Sequence, residues 1–285
     1  MANMANAKQE ASDFVFKRPT FVSKVFSEKT ILNTISIVSI FAAWALLVHF
    51  RVYRFVLIPS PAEVLEYGYG WVGTKVFWID TLMTTSRVLV GVGAAFIIGI
   101  PVGLMIGWKK VFSDLTFPMF EILRPIPAPA YLPIAILLLP WQEASVAFIP
   151  FINAFFPVLL NTITGVKIID RDYFRAARCL GSSPKQIFWH VVLPGALPSI
   201  SSGCAIGMGI GWMGAVVGEM ITGKWGLGYR IWESYILIRY PLIVDGMIAI
   251  GILGFASAAL IRYLTVRLVP WRRAITDSLD ESITK

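Results

Sequence analysis

Histidine and cysteine are scarce in this chain, with two of each in 285 residues. His49 and His190 lie far apart, at the end of an apolar run and in a polar loop. That excludes a haem held by paired intramembrane histidines and a Cys/His metal cluster. Cys179 falls in a polar segment and Cys204 in an apolar run, so no disulfide is expected. No glycine-rich loop ending in Lys-Ser or Lys-Thr is present, so the chain lacks the usual cradle for nucleotide phosphates. A Gly-x-Ser-x-Gly nucleophile elbow is missing too. Charged residues are only 15% of the total, and almost none fall within the apolar runs. A carrier driven by protons or sodium usually needs a buried acid or an unwound ion site, so that class loses support.

What fills the chain instead is apolar. Hydrophobic residues make up 56% and the mean hydropathy is +0.71, against roughly 45–50% apolar in soluble domains. The chain reads as an all-α integral membrane protein. About six runs approach the roughly 20 residues that cross a bilayer as a helix: Thr30–Phe50, Val88–Trp108, Pro125–Trp141, Ala144–Val166, Gly195–Gly218 and Gly246–Ile261. Residues 1–29 read as a partly disordered cytoplasmic tail, 30–268 as one membrane domain and 269–285 as a second cytoplasmic tail. With no small-residue cleavage site after it, the first run reads as an anchor rather than a signal peptide.

The net charge of +8 follows from where the basic residues fall. With both termini inside, 18 of the 25 Lys and Arg lie in cytoplasmic segments, as the positive-inside rule requires. Nucleic acid is therefore not an expected partner; the lipid bilayer is.

Two runs carry small residues at every fourth position: Gly91, Ala95, Gly99, Gly103 and Gly107, then Gly203, Gly207, Gly211 and Ala215. Each set lies on one helix face and permits close backbone approach. Packing within the chain and a sliding or dimer interface are both open. The run from Pro125 holds five prolines, which predicts a kinked or partly unwound segment.

Residues 172–194 are a polar island that reads as two short helices at a sharp corner. Asp172 is the expected cap of the first helix and Gly181 its left-handed end. Ser183, Pro184 and Gln186 form a capping-box pattern for the second, and Pro194 is expected to close it. The pattern Ala176-Ala177, Gly181, Leu193-Pro194 resembles the cytoplasmic signature loop of permease subunits of ABC importers, with Arg175 where that family usually has Glu. Pro59-Ser60-Pro61, Arg87 with Gly91, and Leu123-Arg124-Pro125-Ile126-Pro127 are similar to the nitrate, sulfonate, taurine and bicarbonate branch.

That resemblance implies a type I importer permease fold with a coupling loop at about 168–194. It implies docking to an ATPase through Arg175, Ala176, Ala177, Gly181, Ser183, Pro184, Leu193 and Pro194. It also implies a second copy of the chain, two ATP-binding subunits carrying ATP and magnesium, and an external substrate-binding protein. No enzyme activity and no cofactor in this chain are expected. The cargo class is a small oxyanion or organosulfonate: nitrate, bicarbonate, taurine or an alkanesulfonate. A phosphonate, a thiamine precursor or an amino acid on the same architecture stays open, as does a stand-alone secondary carrier. The expected setting is a bacterial inner membrane, with cyanobacteria among the candidate sources. Translocation-path candidates are Arg87 and Glu219 near the outer ends of their runs, Arg124 at the cytoplasmic edge, and Asn153, Asn161 and Trp212 within the runs; a structural role is the competing reading for each.

Overall fold

The computed structural model describes residues 28–50 and 58–268, and every regular element among them is helical. The expected tails lie mostly outside those residues. The chain forms two compact units, Met1–Glu63 and Val64–Lys285. In the first unit α1 runs over Glu28–His49, and its apolar part, Thr34–His49, is shorter than 18 residues. Helix α2 spans Pro61–Val72. Its start is a capping box: the Glu63 carboxylate accepts from the Ser60 N–H at 2.8 Å and Ser60 Oγ accepts from the Glu63 N–H at 3.3 Å.

The second unit continues with α3 (Lys75–Trp108), α4 (Lys110–Leu123), a 3-10 turn (Ala128–Tyr131) and α5 (Leu132–Leu138). Then come α6 (Gln142–Lys167), α7 (Arg171–Cys179), α8 (Pro184–Ile187), α9 (Leu193–Thr222), α10 (Leu227–Ile236) and α11 (Tyr240–Leu268). Among the described residues four helices are long and apolar enough to cross a bilayer: Lys75–Trp108, Gln142–Lys167, Pro184–Thr222 and Tyr240–Thr265. The number is five if the bent pair of α4 with the segment through α5 counts as one span.

Two of the six expected runs fall short: the first, whose apolar part is Thr34–His49, and the proline-rich run. The latter is no single helix: α4 and the following segment meet at a bend of 98°. Pro129 and Pro133 stand second in the 3-10 turn and in α5, within the first turn, where a missing N–H costs nothing. Ala128 and Leu132 are buried beside Ile149 of α6.

Helix α6 is the centre of the bundle, packed between α3 and α9. The two small-residue faces are what let it in. A side chain at Gly91 would come within 2.4 Å of the Ala147 carbonyl, and one at Gly103 within 2.7 Å of Thr162. From the other side, a side chain at Gly203 would meet Asn161 at 2.7 Å and one at Gly207 would meet Val158 at 3.1 Å. Both stripes pack mainly against α6, while Gly211 faces Val92 of α3, 2.4 Å from where a side chain would start. Packing within the chain accounts for these contacts. Val88, Val92, Ala95, Phe155, Leu159, Trp212 and Ala215 form the core that results.

Candidate functional site

Two assemblies lie along α3, an ionic one around Arg87 in its first half and the elbow under Trp108 at its end. Twenty-one residues separate them in the helix, about 32 Å at 1.5 Å per residue.

At the Trp108 end lies the elbow made by α7 and α8. Asp170, rather than Asp172, caps α7: its carboxylate accepts from the Asp172 N–H at 3.0 Å. Asp172 sits inside the first turn and pairs instead with Arg175 at 3.1 Å, both side chains exposed. Gly181 ends α7 with φ +76°, and the Ser182 N–H reaches back to the Ala177 carbonyl at 3.0 Å. Ser183 and Gln186 complete the capping box, with Pro184 in the first turn. Pro194 does not close α8. The chain widens into a π turn over Phe188–Val192 and runs on as α9. A π turn offers each N–H a carbonyl five residues back, which changes the register before the proline rather than ending the helix.

The elbow has an inner and an outer face. Phe174, Ala177, Ile187 and Phe188 pack with Leu104, Val166 and Ala196, and Trp108 lies 5.8 Å from the Phe174 ring and 6.3 Å from the Phe188 ring. Tyr173, Leu180 and Trp189 point away and are 66%, 85% and 55% exposed. Arg175, Ala176, Gly181, Ser183 and Pro184 are also exposed, while Ala177, Leu193 and Pro194 are half-buried. The alanine pair is therefore split: Ala177 seats the elbow and Ala176 faces out. A notch of about 600 Å³ beside it is lined by Ile168, Tyr173, His190, Pro194 and Ser199 among others.

In the ionic assembly, Arg87 is 4% exposed and Glu219 is fully buried. Their side chains meet at 2.8 Å. Arg87 also donates to the Trp225 carbonyl at 2.7 Å and, through Nε and Nη2, to both oxygens of Glu143 at 2.6 and 2.8 Å. Glu219 accepts further from Thr84 Oγ1 at 3.0 Å and from the Gly228 N–H at 2.9 Å. Buried Asp80 accepts from the Gly226 N–H and from Arg230 Nε, each at 2.9 Å, and Arg230 also pairs with Glu233. Burial lowers the Arg230 pKa, but the hydrogen bonds and charges of Asp80 and Glu233 outweigh it and hold the guanidinium above its ordinary value. Gly226 belongs to this site by shape: at φ +124°, with Glu219 2.4 Å from where a side chain would start, only glycine fits. The network ties α3, α6, α9 and α10 together.

Glu143, Asp80, Thr84 and Arg230 were not among the sequence candidates. A signal existed: positions 80, 84, 87 and 91 share one face of α3 and run straight into its glycine stripe. The remaining candidates lie elsewhere. Asn153 donates to the Ile210 carbonyl at 3.5 Å and Asn161 to the Pro157 carbonyl at 2.8 Å, both half-buried on the α6 face toward α9. Trp212 is 4% exposed and donates to Ser257 Oγ of α11 at 2.8 Å. Arg124 is exposed at the bend after α4, and none of these side chains bonds to another candidate. Among the described residues no group of three or more His, Cys, Asp or Glu could hold a metal ion.

Residues 99–274 match the family model of the binding-protein-dependent transport system inner membrane component. The chain belongs to that family. It is an ABC importer permease subunit of the nitrate, taurine and bicarbonate branch. It is 34% identical over 258 residues to the nitrate import permease protein NrtB of Synechocystis, covering 87% of this chain and 93% of that one. Identity to the taurine transport system permease protein TauC of Escherichia coli is 33%, covering 75% and 80% of the two chains. For the bicarbonate transport system permease protein CmpB of Synechocystis it is 32%, covering 72% and 73%. The permease thus has a family match that spans the elbow and all of α6, α9 and α10.

Proposed function

We propose that this permease works as a pair of identical copies that pass a small oxyanion or organosulfonate inward, with two ATP-binding subunits docked on the α7–α8 elbows. An external binding protein delivers the cargo. The observation that carries this reading is the division of the elbow into a seated inner face and an exposed outer one. Aromatic and aliphatic side chains left in water beside arginines are what interface anchors look like. Caps at Asp170 and at the Gly181–Ser183 corner stiffen the elbow, and the π turn joins it to α9 without a flexible link, so a push on the elbow is delivered to a spanning helix.

The cargo class rests on the relatives, whose names specify nitrate, taurine and bicarbonate. The basic residues favour the inner-membrane orientation with both termini and the elbow in the cytoplasm. ATP and magnesium belong to the partner subunits. Of the path candidates, Asn153 and Arg87 retain the strongest case, one half-buried on α6 and one opening onto a cleft.

The test is co-expression with the ATPase. Ala176→Asp and Leu180→Asp place a charge on the outer face and are expected to abolish ATPase co-purification and ATP-dependent uptake, with the permease still eluting as a folded species. Unchanged assembly and uptake in both variants would remove the docking surface from the elbow.

A further inference from the structure

The two sides of the Arg87 guanidinium keep very different company. Nη1 is locked: it donates to Glu219 and to the Trp225 carbonyl at 2.8 and 2.7 Å, and Glu219 is itself fully buried and bonded to Thr84 and Gly228. The Nε and Nη2 edge is occupied only by Glu143, whose side chain is 64% exposed. Glu143 stands in the first turn of α6. With Arg87, Met83, Ser86, Val90 and Ala147 it lines a cleft of about 360 Å³. One cation therefore serves two carboxylates, one fixed and one in contact with water.

Two parallel N–H groups on one guanidinium edge match any anion that can offer two oxygens side by side. A carboxylate does so; nitrate, bicarbonate and a sulfonate do so equally. We propose that the Nε/Nη2 edge of Arg87 is an oxyanion subsite, filled by Glu143 in this structure and surrendered to the cargo on its way through. This rests on the reading of the chain as an anion importer. Exchange of one anion for another leaves the charge of the cluster unchanged, and Glu219 keeps the guanidinium paired throughout. Glu143 is already 64% exposed, so it leaves without a change in burial and remains at a helix N-terminus, where negative charge is favoured. Its return expels the cargo. A site that releases readily is what conduction requires.

The experiment is a thermal-melting titration of the purified permease, together with whatever ATPase co-purifies. Sodium nitrate, sodium bicarbonate and taurine are added at ionic strength held constant with sodium chloride. Glu143→Gln keeps the size of the side chain but offers only one acceptor to the fork, so the competitor is weakened. Half-saturation of the nitrate or bicarbonate response should fall at least about tenfold below that of the wild type, equivalent to about 1.4 kcal/mol. Glu143→Ala should move it the same way and further. Arg87→Lys in the Glu143→Gln background keeps a charge beside Glu219 but loses the fork, and should erase the anion response. If both Glu143 variants melt with the same anion dependence as the wild type, the subsite does not exist. A wild-type chain that carries no ATPase overturns the importer reading and the cargo role with it. The two failures are read from separate measurements.

Discussion

Glycine has two separate jobs in α3, and substitution distinguishes them. At Gly91 the Ala147 carbonyl would stand 2.4 Å from an added side chain, and backbone cannot step aside as a flexible side chain can. At Gly93 nothing lies within 4 Å. Gly91→Ala should destabilise the permease by about 1–3 kcal/mol through overpacking. Gly93→Ala should be neutral or stabilising by up to about 1 kcal/mol, since it only removes backbone freedom. Melting temperatures of the two purified variants in one detergent check this, and equal losses would contradict the packing of α3 on α6. The ion pair offers a second contrast. Arg87→Ala leaves the buried Glu219 without its cation and should cost about 3–5 kcal/mol. Replacing both by apolar residues should recover much of that loss in a double-mutant cycle. If the double variant is as unstable as the sum of the singles, Arg87 and Glu219 do not act as a pair.

At the scale of elements, the elbow shows what local sequence can and cannot say. The capping box at Ser183 and the left-handed Gly181 are legible because their causes sit within four residues of chain. The cap at Asp170 and the fate of Pro194 are not. Two acids, Asp170 and Asp172, stand close enough to serve as the cap, and only the chain's entry from Ile168–Ile169 chooses between them. A proline after a helix ordinarily marks its end, but here the π turn before Pro194 carries the helix on into α9. That register shift sets how the elbow is rotated relative to the spanning helix. Pro194→Ala removes the reason for it and should let the turn relax to α-helical register. Helix content by circular dichroism should stay the same, while ATP hydrolysis proceeds with reduced uptake. Uptake and hydrolysis that remain coupled at the wild-type ratio would show that the π turn has no part in transmission.

For the whole molecule, the membrane class and helical architecture follow from composition and run length alone. The broken third run was partly visible in its prolines, since their spacing forbids a continuous helix but does not say where the chain bends. The ionic cluster was the least visible. Arg87 and Glu219 were suspects as single charges at run ends, yet Asp80, Glu143 and Arg230 complete the cluster from places 56 to 150 residues away in sequence from their partners. Only the packing of α3, α6 and α9 through their small-residue faces brings them together. In the resulting molecule α3 and α9 join the ionic cluster around Arg87 and Glu219 to the α7–α8 elbow.

Cys179 lies exposed at the end of α7 while Cys204 is buried in α9, so the elbow carries a natural chemical handle. Labelling of Cys179 by a membrane-impermeant maleimide is the most direct measure of the central claim. In intact cells the thiol should stay unlabelled, in inverted membrane vesicles it should react, and bound ATPase should protect it. Labelling from outside intact cells, or no protection by an ATPase that stays bound, would contradict the account.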